Sequence, residues 1–210
     1  FFCELMNWGT IASKAFAFAI LTASRSKAVR TARWSDIDLE AGTWTCPESA
    51  MKVKGRGIFV VLLSTAAIRL LKSLPRMANT DLVFPSPYQH KVMSDTGLGQ
   101  IVGDMNKQAK RQGLPLWIDK AQTETLGKDI RITVHGTSRA TFKTWTKLDA
   151  NLKRFDRDAV ELCLAHKLDD GYGGAYDRAA MVEERRRIMD AWGEFCCSKL
   201  NQPAKLRRKG

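Results

Sequence analysis

The hydrophobic pattern along the chain changes period several times, and each change marks an element. Residues 13 to 33 are rich in alanine with Phe16, Ile20 and Val29 interspersed, a composition of good helix formers with a narrow apolar face that predicts one helix ending near Trp34. From Trp34 the texture turns to short alternating runs: Thr43-Trp44-Thr45-Cys46, then Met51 to Lys54, separated by Gly55-Arg56-Gly57 from the β-rich Ile58 to Leu63. These predict a small antiparallel sheet. Ser64 is placed to cap a helix carrying Ile68, Leu70, Leu71 and Leu74, which Pro75 stops. After a connector with Pro85 and Pro87, Ser94-Asp95 opens a helix with Leu98, Ile101, Val102 and Met105 on one face, and residues 112 to 131 read as a long surface loop. Thr141 to Lys147, Asp156 to Leu164 and Arg178 to Phe195 again have helical period, and a basic tail follows Cys197. The expected fold class is mainly α with a small antiparallel β-sheet, in one domain over 1–197 with a basic tail over 198–210.

Composition narrows the functional classes. At 210 residues, 44% hydrophobic and 27% charged, the chain is long enough to bury a full core. Its formal net charge of +12 makes an anionic partner the first expectation, with nucleic acid ahead of a membrane surface. The longest uncharged apolar stretch, 15–23, falls far short of the ~20 residues that span a bilayer, so no membrane-embedded segment is expected. Five cysteines, odd in number and without a C-x-x-C pair, suggest neither a disulfide framework nor a zinc knuckle and fit a reducing cytosol. The start Phe1-Phe2-Cys3-Glu4 reads as a cut inside a longer chain. The glycines at 97, 99 and 103 do not make a dinucleotide fingerprint, and there is no P-loop, so no cofactor is expected.

Candidate chemistry lies in separated short segments. In Thr133-Val134-His135-Gly136-Thr137-Ser138-Arg139 an apolar run ends at an apparent helix start, where a histidine and an arginine suit a phosphate or simply cap the helix. His166 follows a helical stretch at Leu164-Ala165-His166. Tyr176 is preceded by Gly171, Gly173 and Gly174, backbone able to swing a phenol into or out of a site. Asp36, Asp38, Asp169 and Asp170 could be imagined as metal ligands, but the first pair sits before the sheet and fits a turn-capping role better.

Taken in order, these segments resemble the tyrosine recombinase, or phage integrase, family. Thr22-Ala23-Ser24-Arg25-Ser26, with Val29-Arg30 and Ala32-Arg33-Trp34-Ser35-Asp36-Ile37-Asp38, is similar to its first arginine box. Met51-Lys52 is similar to its β-strand lysine, His135 to Arg139 to its H-x-x-R box, Leu164-Ala165-His166 to its late histidine, and Ala175-Tyr176-Asp177-Arg178 to its nucleophile segment. The run from Glu183 to Trp192 resembles prophage and genomic-island integrases in particular. Two positions depart from the pattern: Ala28 stands where the family usually has a glutamate that buttresses the first arginine, and His135 and Arg139 are four residues apart rather than three.

The resemblance implies a catalytic domain, lacking the upstream DNA-binding domains, that cleaves and rejoins DNA through a 3′-phosphotyrosine without metal or ATP. It implies catalytic roles for Arg25, Lys52, His135, Arg139, His166 and Tyr176. Lys54, Arg56, Arg131 and Lys143 are the expected nucleic-acid-binding residues. The implied partners are double-stranded DNA attachment sites, further copies of the chain assembled on DNA, and host or phage DNA-bending proteins, all in a bacterial cytosol. Trp192 and Phe195 either pack on a neighbouring protomer, as the resemblance implies, or join the domain's own core. The competing readings are a catalytically weakened DNA-binding module of the same fold and a type IB topoisomerase-like nicking-closing enzyme.

Overall fold

The structure, a computed structural model, describes residues 1–50, 58–87, 91–166, 181–198 and Leu200. Helix α2 (Ile11–Leu21) is its centre: Ala15 to Leu21 are all buried, and a helix apolar on every side must be surrounded. Helices α1 (Phe2–Trp8), α3 (Ser26–Arg30), α4 (Thr65–Lys72), α5 (Gly97–Arg111) and α10 (Val182–Cys197) pack on it. The single helix predicted over 13 to 33 is therefore two, broken at Thr22 to Arg25, where Ala23 takes a left-handed φ of 48°. Alanine-rich sequence has no local signal for such a break; tertiary packing of Ala23 (1% exposed) imposes it.

The predicted sheet is present as three antiparallel strands in sequential order: β1 (Ile37–Asp38), β2 (Thr43–Cys46) and β3 (Phe59–Leu62). Trp44 pairs with Val61 and Thr43 with Leu62, and the period-2 alternation puts Trp44 and Cys46 into the core while Thr43 and Thr45 are half-exposed. Asp38 caps the β1–β2 turn, its Oδ1 accepting from Glu40 N (2.9 Å) and Ala41 N (2.8 Å), which is the turn role expected of it. Residues Met51 to Gly57, and with them Lys52, Lys54 and Arg56 between β2 and β3, lie outside the described residues, as do Asp169 and Asp170.

Ser64 caps α4 as expected, its Oγ accepting from Ala67 N at 3.2 Å. Helix α5 begins at Gly97 rather than at Ser94-Asp95, and Asp95 forms an ion pair with the buried Arg30. The predicted loop over 112 to 131 contains a helix, α6 (Lys120–Leu126), capped by Asp119 and ended by Gly127 in the left-handed region. It has no buried residue and so no amphipathic signal in the sequence. Helices α7 (Thr141–Thr146), α8 (Asp149–Leu152) and α9 (Arg157–Cys163) complete the second half. No helix among the described residues is long and apolar enough to cross a membrane.

Helix α10 docks on both halves. Asp190 Oδ1 accepts from Thr65 N (2.9 Å) at the start of α4, and a Cβ on Gly193 would meet Ser64 Oγ at 2.7 Å, so only glycine allows this approach. Arg185 reaches across to β3, donating to Val60 O at 2.6 Å with its guanidinium over Phe59. Trp192 is 1% exposed, donates from Nε1 to Ile20 O (2.7 Å) and meets Phe142 and Trp145 at ring separations of 5.5 and 5.2 Å. Of the two alternatives for the end of the chain, Trp192 thus joins the domain's own core; Phe195 stacks on it and is half exposed. Trp192→Ala should cost about 3–5 kcal/mol, read as a lower urea midpoint at unchanged m-value; a loss under about 1 kcal/mol would show that α10 is not part of the cooperative core.

Candidate active site

Two helix C-termini, those of α2 and α9, meet at Arg139. Past α2, Ala23 is left-handed (φ 48°) and its carbonyl accepts from Arg139 NH1 at 3.0 Å. Past α9, Leu164 O accepts from Arg139 NH2 at 2.7 Å just before Ala165, which is also left-handed (φ 53°). Left-handed residues after a helix turn its last carbonyls inward, and both sit at the negative end of a helix dipole, a favourable seat for a cation. Arg139 is 6% exposed, and burial together with the nearby Arg25 lowers its pKa to about 10, Glu161 pulling the other way. It therefore remains charged at neutral pH.

Arg25 is the N-terminal cap residue of α3, half-buried. It and Arg139 line a common pocket of about 20 Å³ with Ala23, Ala28 and Ala165. That is room for about one water molecule, beside Ala28. His166 is the third arrival. Its N–H donates to Glu161 O at 3.0 Å, its Nε2 lies 3.0 Å from Arg139 NH2, and its Nδ1 lies 2.5 Å from Glu161 Oε2.

His135 and Arg139 stand on one turn, and that turn is π-helical over Gly136–Ala140, with Thr141 N donating to Gly136 O. A π turn is how a helix accommodates one extra residue. The wider winding rotates each residue less, so a four-residue step ends nearer to where a three-residue α-helical step would. The departure in spacing thus has a local structural counterpart. His135 itself is exposed, whereas Ser138 is buried and donates to Ser24 O (3.2 Å), tying the turn to the first arginine segment.

Of the expected nucleic-acid-binding residues, Arg131 is exposed, with its guanidinium close to Gly103 of α5. Lys143, on α7, points inward instead and forms an ion pair with Glu161. Tyr176 and its glycines, like Lys52, Lys54 and Arg56, lie outside the described residues. Glu161 escaped sequence reading. The available signal was a single acid in the otherwise apolar stretch from Ala159 to Ala165, five residues before His166.

Cys46 and Cys163 also line the small pocket. Burial, with Asp36 adding to it, pushes the Cys46 thiol up to about 11, and burial pushes Cys163 up to about 12 against the pull of Arg185. Both stay protonated near neutral pH, and a protonated thiol is a poor nucleophile.

The chain aligns over 86% of its length with prophage integrase IntZ of Escherichia coli strain K12, 30% identical over 181 residues, and with the integrase of Enterobacteria phage P4, 26% identical over 194 residues. The chain is thus similar in sequence to phage and prophage integrases. It spans about two fifths of the length of these curated relatives, 38% and 39% respectively. Its fold matches that of XerA recombinase, a tyrosine recombinase, with a TM-score of 0.54 and 15% identity over 96% of this chain and 61% of that one. No protein-family model matches the chain. The mainly α fold with a small antiparallel sheet is therefore that of the tyrosine recombinases, as the sequence resemblance implied.

Proposed function

We propose that this integrase relative is the catalytic domain of a site-specific DNA recombinase, with residues 1–197 as the domain and 198–210 as a basic tail. The observation that carries this reading is the convergence of Arg25 and Arg139, distant in sequence, on one small pocket, with His166 hydrogen-bonded to Arg139. Two guanidiniums and an imidazole in one place suit a scissile phosphate. Arginine can fork onto two non-bridging oxygens, and three of the five N–H groups of Arg139 already hold it in place through Ala23, Leu164 and His166.

In this mechanism the Tyr176 oxygen attacks phosphorus, forming the phosphotyrosine bond as the bond to the 5′ oxygen breaks. Lys52 supplies the proton that leaves with the 5′ hydroxyl. Arg25 and Arg139 stabilise the charge of the transition state, and His135 and His166 hydrogen-bond the phosphate or move protons. Because the phosphotyrosine retains the bond energy, a 5′ hydroxyl from another strand can displace Tyr176 without ATP. Lys54, Arg56 and Arg131 supply charge toward the DNA backbone, while Lys143 is engaged by Glu161. Assembly of several copies on double-stranded attachment sites, aided by DNA-bending accessory proteins in a bacterial cytosol, belongs to the same reading.

The test is covalent trapping: incubation with a nicked DNA half-site should give an SDS-resistant protein–DNA adduct without added metal. DNA binding with no adduct would favour the weakened binding module; plasmid relaxation without exchange of marked sites would favour the topoisomerase-like reading. Binding to the half-site should also be strongly salt-dependent. For about four to six phosphate contacts, affinity should fall by roughly 10²–10³ between about 50 and 200 mM salt; a nearly flat salt dependence would refute the basic-surface assignment.

A further inference from the structure

His166 stands between a donor and an acceptor that together dictate its proton. Arg139 can only donate, so a hydrogen bond from its NH2 to Nε2 (3.0 Å) requires a bare Nε2. Nδ1, at 2.5 Å from Glu161 Oε2, then carries the hydrogen and donates to the carboxylate. The other oxygen of Glu161 is held by Lys143, and the main-chain carbonyl of Glu161 accepts from His166 N (3.0 Å). One residue thus grips the histidine by backbone and side chain, while the lysine fixes that side chain's rotation.

We propose that Glu161 is a positioning residue that locks His166 in its Nδ1–H tautomer and aims Nε2 at the phosphate seat formed by Arg139, with Lys143 as its anchor. The role in cleavage rests on the recombinase reading above; the lock itself does not. Partial burial pushes the Glu161 carboxyl up, but its hydrogen bonds with Lys143 and His166 and their charges outweigh this and hold it below the usual carboxylate range. The carboxylate is therefore ionised at neutral pH. When a phosphate oxygen takes the Arg139 hydrogen that now points at Nε2, that nitrogen is free to exchange a proton or a hydrogen bond with the substrate, its direction already set. A histidine left to rotate would present either nitrogen.

The first measurement is a long-range proton–nitrogen spectrum of the imidazoles in the labelled chain, at a pH well above the ordinary imidazole range, with His166→Ala identifying the signals. The expected wild-type result is a protonated Nδ1 and a bare Nε2 on His166; a protonated Nε2 would overturn the proposal without any variant. Glu161→Met, which keeps the length of the side chain but removes both oxygens, should let the ring turn away from Arg139 and give a mixture of tautomers; an unchanged Nδ1–H form in this variant would overturn the role given to Glu161. Glu161→Gln retains an acceptor oxygen and should restore the Nδ1–H form.

In the trapping assay Glu161→Met should slow adduct formation by about tenfold or more at unchanged DNA affinity, and should add little further loss on a His166→Ala background. Full additivity of the two substitutions would overturn the assignment, because a residue acting through His166 has nothing to act on once it is gone. A wild-type chain with the locked tautomer but no adduct would refute the recombinase reading and leave the lock standing.

Discussion

Replacing Tyr176 by phenylalanine should abolish the covalent adduct while leaving DNA binding within about twofold. The substitution removes one oxygen and keeps the ring, so any packing by the aromatic face survives. The proposed mechanism needs that oxygen to form a bond to phosphorus, and the Cys46 and Cys163 thiols of the pocket do not replace it, being pushed up to about 11 and about 12 and so protonated. A phenol has an ordinary pKa of ~10, which adjacent cations lower by favouring the phenolate, and Arg25 and Arg139 are the cations gathered at the site. The expected loss is complete within detection, and Tyr172→Phe should be close to wild type. An adduct that survives Tyr176→Phe but is lost in Tyr172→Phe would move the nucleophile four residues upstream.

The second large effect is expected from Arg139→Lys. Arg139 is 6% exposed and bridges the ends of α2 and α9 through Ala23 O and Leu164 O while touching His166. A lysine ammonium is a single point of charge and cannot hold two carbonyls and a phosphate together. Adduct formation should fall by roughly 10²–10³, the usual effect of losing one transition-state donor.

The pH dependence has a defined sign. Burial and the charge of Arg25 lower the Arg139 pKa, and they would lower that of a lysine there from its already lower ordinary value. As pH rises, the variant therefore loses the positive charge that wild-type Arg139 still keeps. Its residual activity should decline toward alkaline pH, where that of the wild type is sustained, which single-turnover trapping across a pH series would show. Parallel pH profiles with only a uniform loss would mean that charge at this position is not what the substitution changes.

Much of the fold was legible because local chemistry and tertiary environment agree. Ser64 caps the helix it was expected to cap, the β2 run alternates as a half-buried strand does, and the apolar faces of α5, α9 and α10 turn inward. The motifs from Arg25 to Tyr176 could be read because their chemistry resides in residue type and order along the chain, which needs no coordinates. The relatives found over 86% of the chain agree with the family those motifs indicated.

Other features were decided only by packing. The break at Thr22 to Arg25 and the left-handed Ala23 and Ala165 arise in segments whose alanines favour helix, because turning the carbonyls of Ala23 and Leu164 onto a buried guanidinium offsets a backbone cost of about 1–2 kcal/mol per residue. Whether four residues between His135 and Arg139 would be absorbed as a π turn could not be read from spacing, since it depends on Ser138 and Arg139 being held from below by Ser24 and Ala23. The inward turn of Lys143 and the grip of Glu161 on His166 are likewise invisible in sequence. Residue types and their period are enough to carry the family resemblance, the fold class and the candidate chemistry. Which charges meet is set instead by long-range packing among α2, α7 and α9, which no local pattern encodes.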